Sequence, residues 1–242
     1  MSIERHQLVV GGVPVEVCRR DIKHVHVGVY PPRGRVRVAA PLRLTDEAVR
    51  LAVVSRLGWI RRQQAAFKGQ DRQSRREMVT GESHYFQGRR YRLRVLHHHG
   101  PTGVALLNNT AIVVHVGPGS DAAARDAALA HWYRQQLREQ LPPLVAKWEE
   151  RVGLKVAEVR IKKMKTRWGS CNAAARRVWL NLELAKKPPS CLEYILVHEM
   201  IHFRERHHNA RFRDLMDDLL PTWRLIRDEL NRAPLAHEEW RY

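Results

Sequence analysis

Cysteine, acidic residues and long apolar runs are all scarce in this chain. Among 242 residues there are three cysteines, Cys18, Cys171 and Cys191, widely separated and without a C-x-x-C pair. That excludes a disulfide framework and a zinc ribbon. No apolar run approaches the roughly 20 residues needed to span a bilayer. The first ten residues, which include Glu4 and Arg5, lack the apolar centre of a signal peptide. A cytoplasmic protein with no membrane partner is expected. Asp and Glu number 25 against 43 Lys and Arg, a formal net charge of +18. Such a field attracts nucleic acids, other polyanions and anionic small molecules, and weakens as salt rises. Yet no zinc-finger ligand set, RRM signature or other nucleic-acid module is visible. Arginine spread over solvated faces by a biased composition accounts for the charge equally well.

Histidine is plentiful, at 14 residues, and one cluster carries chemistry: His198-Glu199-Met200-Ile201-His202, an H-E-x-x-H pattern in an apolar, helix-like stretch. A helix advances about 100° per residue, so positions four apart share a face and the two imidazoles reach one metal ion. Glu199, one step round, falls beside the remaining coordination position, where a carboxylate can take a proton from water. The residue set is one for hydrolysis. Its surroundings predict a helix. Ser190 and Glu193 form an S-x-x-E capping box after Pro188-Pro189, and Cys191, Ile195, His198 and His202 then share a face. A core helix whose apolar stripe turns to imidazole is costly, because each buried ring needs a hydrogen-bond partner.

A hydrolytic zinc site takes three protein ligands. His207, His208 and Glu205 are the nearby candidates for the third. His208 lies ten residues after His198, a spacing that suits a helix ending and the chain turning back. Metzincins make that turn with Gly three residues after the second His, where this chain has Glu205, so the turn must be made otherwise. Asn209 reads as the N-cap of a further helix through Phe212, Leu215, Met216 and Leu219. That cap breaks the first helix near His208 and aims its ring inward, with His207 left outside.

Elsewhere, Gln7 to Val10, Val13 to Val17, Val25 to Tyr30 and Arg35 to Ala39 read as a strand meander, followed by a helix from Thr45 to about Ala66. Gly69 to Arg76 reads as a polar connection. Hairpins are expected across Gly88-Arg89 and Asn108-Asn109, and His97-His98-His99 as an exposed turn. Asp121 caps a helix that Pro142-Pro143 should break or kink, with a second segment ending at Gly153. Strands at Val156 to Ile161 and Arg177 to Leu182 flank the segment Lys163 to Cys171, and a last helix covers Thr222 to Asn231. No internal repeat is apparent. Within Lys163 to Cys171, Arg167 is a candidate to steady negative charge near the metal, or to hold a phosphate. Equally, Lys162, Lys163, Lys165 and Arg167 can form a solvated basic strand while Trp168 packs inward. The preceding strand offers an edge that could pair with an extended peptide. Trp179 and Asn181 read as support for the metal helix.

Four segments resemble the YgjP-like metallopeptidase family, relatives of the SprT-like and WLM proteins. They are Lys163-Met164-Lys165-Thr166-Arg167-Trp168-Gly169-Ser170-Cys171, Trp179-Leu180-Asn181-Leu182, Glu193 to His202, and His208-Asn209-Ala210-Arg211-Phe212. The family usually has Ser where this chain has Asn209, and either caps a helix. The resemblance implies His198, His202 and His208 as metal ligands, Glu199 as general base and one zinc ion, other divalent transition metals being compatible. It implies an α+β fold: a β-rich region, 1–118, with one helix, then a zincin-like domain, 119–242, with an active-site helix and a small sheet. Zinc-dependent amide hydrolysis of a peptide or protein is the leading expectation. UTP pyrophosphatase activity, attributed within the family, is the alternative. A DNA-associated SprT-like protease, or a nucleic-acid-binding protein, is the third.

Overall fold

The computed structural model describes residues 5–30, 34–69, 76–164 and 167–232. It is an α+β structure in two compact units that divide between 75 and 76. No helix among the described residues is long and apolar enough to cross a membrane.

The first unit contains strands β1 (Arg5–Val10), β2 (Val13–Arg20), β3 (His26–Tyr30) and β4 (Arg35–Pro41), then helices α1 (Asp46–Val54) and α2 (Leu57–Gly69). All four expected strands form, but not as a meander. Their order is β1-β2-β4-β3, with β2 and β4 parallel. Alternation specifies which face a strand buries and says nothing about its neighbour. Val15, Val17, Val36 and Val38, on the two central strands, are fully buried with Val49, Val53 and Ile60 from the helices. The one helix expected after Thr45 is two. Thr45 caps α1 by accepting from the Ala48 N–H, and Ser55 ends it, its hydroxyl donating to Ala52 O at 3.0 Å.

The second unit opens with β5 (Ser83–Phe86), β6 (Arg89–His97), β7 (Gly103–Leu107) and β8 (Ala111–Val116), in the order β5-β6-β8-β7. Again the outer pairs are antiparallel and the central pair parallel. The hairpins turn at Gln87-Gly88, one residue earlier than expected, and at Asn108-Asn109; φ is 49° and 78°, then 46° and 53°. Positive φ at both central residues is the turn whose twist matches the flanking strands. Of the expected exposed turn at His97-His98-His99, His99 is exposed outside the strand, whereas His97 still pairs with Val116 in β6 and His98 is half-buried against His115.

Helix α3 (Ala122–Val152) is capped by Asp121, which accepts from Ala124 N at 2.7 Å, and ends at Gly153 in the left-handed region. Of the break or kink expected at Pro142-Pro143, the break does not occur: one helix runs through both residues. Each interior proline costs about 3 kcal/mol. Leu137 and Leu141 before the pair, and Trp148 and Val152 after it, are buried in one core, at roughly 1.5–3 kcal/mol each. Packing on both sides outweighs the two lost hydrogen bonds.

Beyond α3 lie β9 (Glu158–Lys162), β10 (Gly169–Asn172) and β11 (Arg177–Asn181), ordered β10-β11-β9, a short 3-10 helix (Leu182–Lys186), and helices α4 (Pro189–Ile201), α5 (Ala210–Leu219) and α6 (Trp223–Arg232). The expected boundary at 118/119 falls inside this unit. Gln87 N and Gly88 N donate to Ala185 O and Lys186 O at 2.9 and 3.2 Å, and the Tyr133 hydroxyl donates to Tyr85 O at 2.6 Å. Phe86, Tyr91 and Leu93 share one core with Trp132, Tyr133 and Leu192. A β-rich composition therefore does not mark a separate domain here.

The expected capping box is also replaced. Pro188 is the N-cap of α4 and no side chain caps it. Proline at N1 lacks an N–H that would have no partner within the helix in any case, and already holds the helical φ. Glu193 is thereby released to accept from Lys147 Nζ at 2.6 Å and from Trp148 Nε1 at 2.9 Å, tying α4 to α3. Trp148 is fully buried, so Glu193→Ala strands its indole N–H and should cost about 1–3 kcal/mol, read as a lower thermal midpoint. Glu193→Gln, which keeps an acceptor, should lose less.

His84 on β5 is buried, and burial together with the Arg76 charge pushes its pKa down to about 4. The unfolded imidazole titrates near 6.5, so between these values the unfolded chain binds a proton that the fold refuses. This contribution to stability is complete above pH 6.5 and is lost as pH falls towards 4. Urea denaturation at about pH 7 and about pH 4.5 should show the decline, and His84→Leu should flatten it.

Candidate metal centre

Helix α4 is buried almost all round, with Leu192, Leu196, Val197, Met200 and Ile201 in the core. Its final turn carries His198 and Glu199, and His202 is its C-cap. The chain then reverses in a short, closely bonded segment. His202 Nδ1 donates to Glu205 O at 2.9 Å, the Glu205 carboxylate accepts from His207 N at 3.3 Å, and Asn209 caps α5 by accepting from Phe212 N at 2.9 Å. The expected Asn209 cap is therefore present, and it returns His208 to the helix end. His208 Nε2 lies 3.0 Å from His198 Nε2 and 3.1 Å from His202 Nε2. All three ligand atoms fall within 4.8 Å of one another. His207 is exposed, and neither it nor Glu205 belongs to the cluster.

The donor set suits a divalent transition metal on physical grounds. With its proton on Nδ1, His202 presents only a lone pair at Nε2, and neutral imidazole has a single N–H to offer. Three such atoms cannot satisfy one another, because His208 Nε2 can donate to one neighbour at most. Burial, followed by the two neighbouring imidazoles, pushes the His198 pKa down to about 3, and burial likewise lowers that of His208. Neutral nitrogens about 3.4 Å apart are what a tetrahedral ion with 2.1 Å bonds requires. The described rings stand close to that spacing.

One residue holds the three rings. Phe212, 2% exposed, lies against His198, His202 and His208 with ring centroids 5.0, 4.8 and 4.7 Å away. The cap that starts α5 places it there.

Glu199 is 6% exposed, and burial pushes its pKa up to about 7 against the opposing effects of a Cys171 hydrogen bond and the Arg167 charge. The same burial, beside that carboxylate, pushes the Cys171 thiol up to about 12, so it stays a protonated donor. Strand β10 reaches the carboxylate because residue 169 has no side chain. A Cβ on Gly169 would stand 2.7 Å from both Glu199 Oε1 and Ile195 Cγ2.

Arg167 precedes β10 and is exposed. Asn181, 5% exposed, fixes its backbone: the amide donates to Arg167 O at 2.8 Å and Met164 O at 2.9 Å, while its oxygen accepts from Met164 N and Glu183 N. The Asn181 side chain thus fastens a loop instead of simply supporting the helix. Lys165 lies outside the described residues. Trp168 is half-buried, with Lys187 Nζ 5.5 Å from its ring centre.

These groups line an open cleft of about 1120 Å³, walled by Trp168, Trp179 and Tyr194 and floored by His198, Glu199, His202 and His208. The strand edge that faces it is β10. The preceding strand, β9, which the sequence suggested as a peptide-pairing edge, forms the opposite edge of its sheet and contributes nothing to the cleft lining. Gly169, Cys171, Asn181 and Phe212 were not recognisable as site residues from spacing. Their one signal was membership of the four family-like segments.

A family model described as YgjP-like, metallopeptidase domain, matches residues 25–233. Among solved structures, the chain is similar to the metallopeptidase zymogen of Pyrococcus abyssi abylysin, with 19% identity and a TM-score of 0.34, over 36% of this chain and 89% of that one. No curated protein sequence matches the chain.

If the three imidazoles act as one ligand set, His208→Ala should weaken zinc binding at least about 100-fold, beyond the usual effect of outer partners. His207→Ala should leave it within about twofold, the scale of an exposed non-ligand. Competition titration against a chromogenic chelator measures the two variants, and an unchanged affinity for His208→Ala removes that residue from the set.

Proposed function

Since the chain belongs to the YgjP-like metallopeptidase family, we propose that it is a zinc-dependent hydrolase of amide bonds in peptides or proteins. His198, His202 and His208 hold the ion and Glu199 is the general base. One observation carries the reading: three imidazole nitrogens within 4.8 Å of one another beside a buried carboxylate, all facing an open cleft.

The metal, when bound, supplies Lewis acidity that polarises a carbonyl and acidifies water. The remaining work falls to the chain. Glu199, with a pKa raised to about 7, takes a proton from water near neutrality and can return it to the departing amine. The Cys171 thiol and the bare backbone at Gly169 hold that carboxylate in place. Arg167 steadies negative charge that develops on the substrate oxygen. The edge of β10 offers main-chain groups to an extended peptide.

Nucleoside triphosphate hydrolysis has weaker support. Phosphates are handled with Mg²⁺ or Mn²⁺, which prefer oxygen ligands, whereas this cluster is all nitrogen. Recruitment to nucleic acid has only the net charge behind it.

Glu199→Gln should retain zinc and lower turnover by about 10²- to 10⁴-fold, the usual worth of a general base. The measurement is release of new α-amino groups from a denatured protein substrate, with pyrophosphate release from UTP followed in parallel under Mg²⁺, Mn²⁺ and Zn²⁺. Undiminished turnover excludes Glu199 as base. Pyrophosphate without new amines transfers the assignment to nucleotides.

A further inference from the structure

Three arginines line the cleft. Arg227 on α6 stands near Tyr194: its guanidinium lies 5.1 Å over the Trp223 ring, which itself stacks on Tyr194 at 6.3 Å. Arg167 is carried on the loop that leads into β10. Arg206 lies in the reversal between His202 and His208, at the other end of α4. Among the described residues lining the cleft, Glu199 is the only carboxylate. Neither Arg167 nor Arg206 forms an ion pair among the described residues, and both are exposed. Asp228 accepts from Arg227 Nε and Nη2 at 3.1 and 3.0 Å, which fixes that guanidinium and leaves Nη1 to donate.

Spacing turns this charge into a specificity. Tyr194 and His202, the residues beside which Arg227 and Arg206 are carried, are eight residues apart, about 12 Å along the axis of α4. An extended peptide covers about 3.3 Å per residue, so that separation equals about four residues. His198 and Glu199 lie between these two stations, four and five residues after Tyr194. A cation therefore awaits the substrate within about two residues on either side of the centre.

Resting on the hydrolytic reading above, we propose that the cleft selects polypeptide segments with acidic side chains on both sides of the bond to be cut, Arg227 and Arg206 being the selecting residues. Asp or Glu there meets the planar fork of Arg206 at one station, and at the other the Nη1 that Arg227 keeps beside its pair with Asp228. Lysine or arginine there meets like charge in a partly desolvated groove, which rejects basic segments. A polypeptide fits better than a free anion because the open edge of β10 runs through the same cleft and pairs with main chain. The preference is electrostatic, so it weakens as salt rises.

The test measures binding in the zinc-loaded Glu199→Gln protein, where turnover does not interfere. Fluorescein-labelled peptides about ten residues long carry Asp, Asn or Lys at two positions either side of a central Ala-Leu bond, and anisotropy is followed from ~50 to ~300 mM salt. The Asp peptide should bind about tenfold tighter than the Asn peptide at low salt, two exposed pairs being worth about threefold each, and the gap should narrow with salt. Arg206→Ala and Arg227→Ala should each reduce the Asp advantage about threefold while leaving the Asn peptide unaffected, which separates lost selection from lost folding. Equal binding of the Asp and Asn peptides, or tighter binding of the Lys peptide, overturns the proposal. So does UTP competing more strongly than every peptide. Failure of the hydrolytic reading shows elsewhere, as turnover that survives Glu199→Gln, and leaves this ladder of affinities intact.

Discussion

The centre exists because two helices end where they face each other. Helix α4 stops at Ile201 and α5 does not begin until Ala210, and the residues between them reverse the chain within the reach of a single imidazole. Nothing in that interval has a strong preference for such a turn. It is held by backbone bonds such as Glu205 N to Ile201 O and Asn209 N to His207 O, by side-chain bonds from His202 to the Glu205 carbonyl, from His207 N to the Glu205 carboxylate and from Phe212 N to Asn209, and by one buried ring beneath all three histidines. The bond from His202 also decides chemistry, since a proton committed to Nδ1 leaves Nε2 bare. Fold and ligand set are one construction. A residue at 205 that still lent its carbonyl, with any cap at 209, would serve; an apolar ring at 212 is harder to replace.

A second close approach sets the carboxylate. Were residue 169 to carry even a methyl group, β10 would be displaced from α4 by contact with Glu199 and Ile195. The strand instead seals one side of Glu199, which removes water, raises its pKa and aligns an open strand edge with the same point. One close approach therefore both buries the carboxylate and brings a strand edge beside it. Asn181 completes the arrangement from behind, because a single amide satisfying donors and acceptors of Met164 and Arg167 fixes where the arginine emerges.

Much of this was legible in sequence, though unevenly. The H-E-x-x-H spacing, the return at His208 and the Asn209 cap are local, and local rules found them. So did the positive-φ turn at Asn108-Asn109 and the caps at Thr45 and Asp121. What failed was whatever depended on packing at a distance. Ser190 and Glu193 look like a capping box in isolation, but Trp148, forty-five residues earlier in the chain, claims the Glu193 carboxylate. Pro142-Pro143 should break a helix in water, and does not in one anchored at both ends in the same core. Gly169, Asn181 and Phe212 have ordinary local contexts. Their importance appears only when the opposing element is in place.

Strand order was the least visible feature, and it hides a repetition. Each four-stranded sheet begins with an antiparallel hairpin, adds its fourth strand parallel to its second, and pairs its third only with its fourth. The first hairpins turn on Gly11-Gly12 and Gln87-Gly88, all with positive φ, and a helix follows each sheet after a side-chain cap, Thr45 or Asp121. What recurs is backbone conformation and cap chemistry. Residue identities differ, so a comparison of letters finds no repeat. The two copies have been put to different use. In the second, the turn at Gln87-Gly88 donates its N–H groups to the segment that leads into α4, and a side chain on Gly88 would collide with Pro188, so the hairpin is fitted to the start of the helix that carries His198 and Glu199. In the first, the corresponding Gly11 lies against Leu57 of its own unit. A turn that closes a small core in one sheet supports, in the other, the start of the helix that carries the histidine cluster.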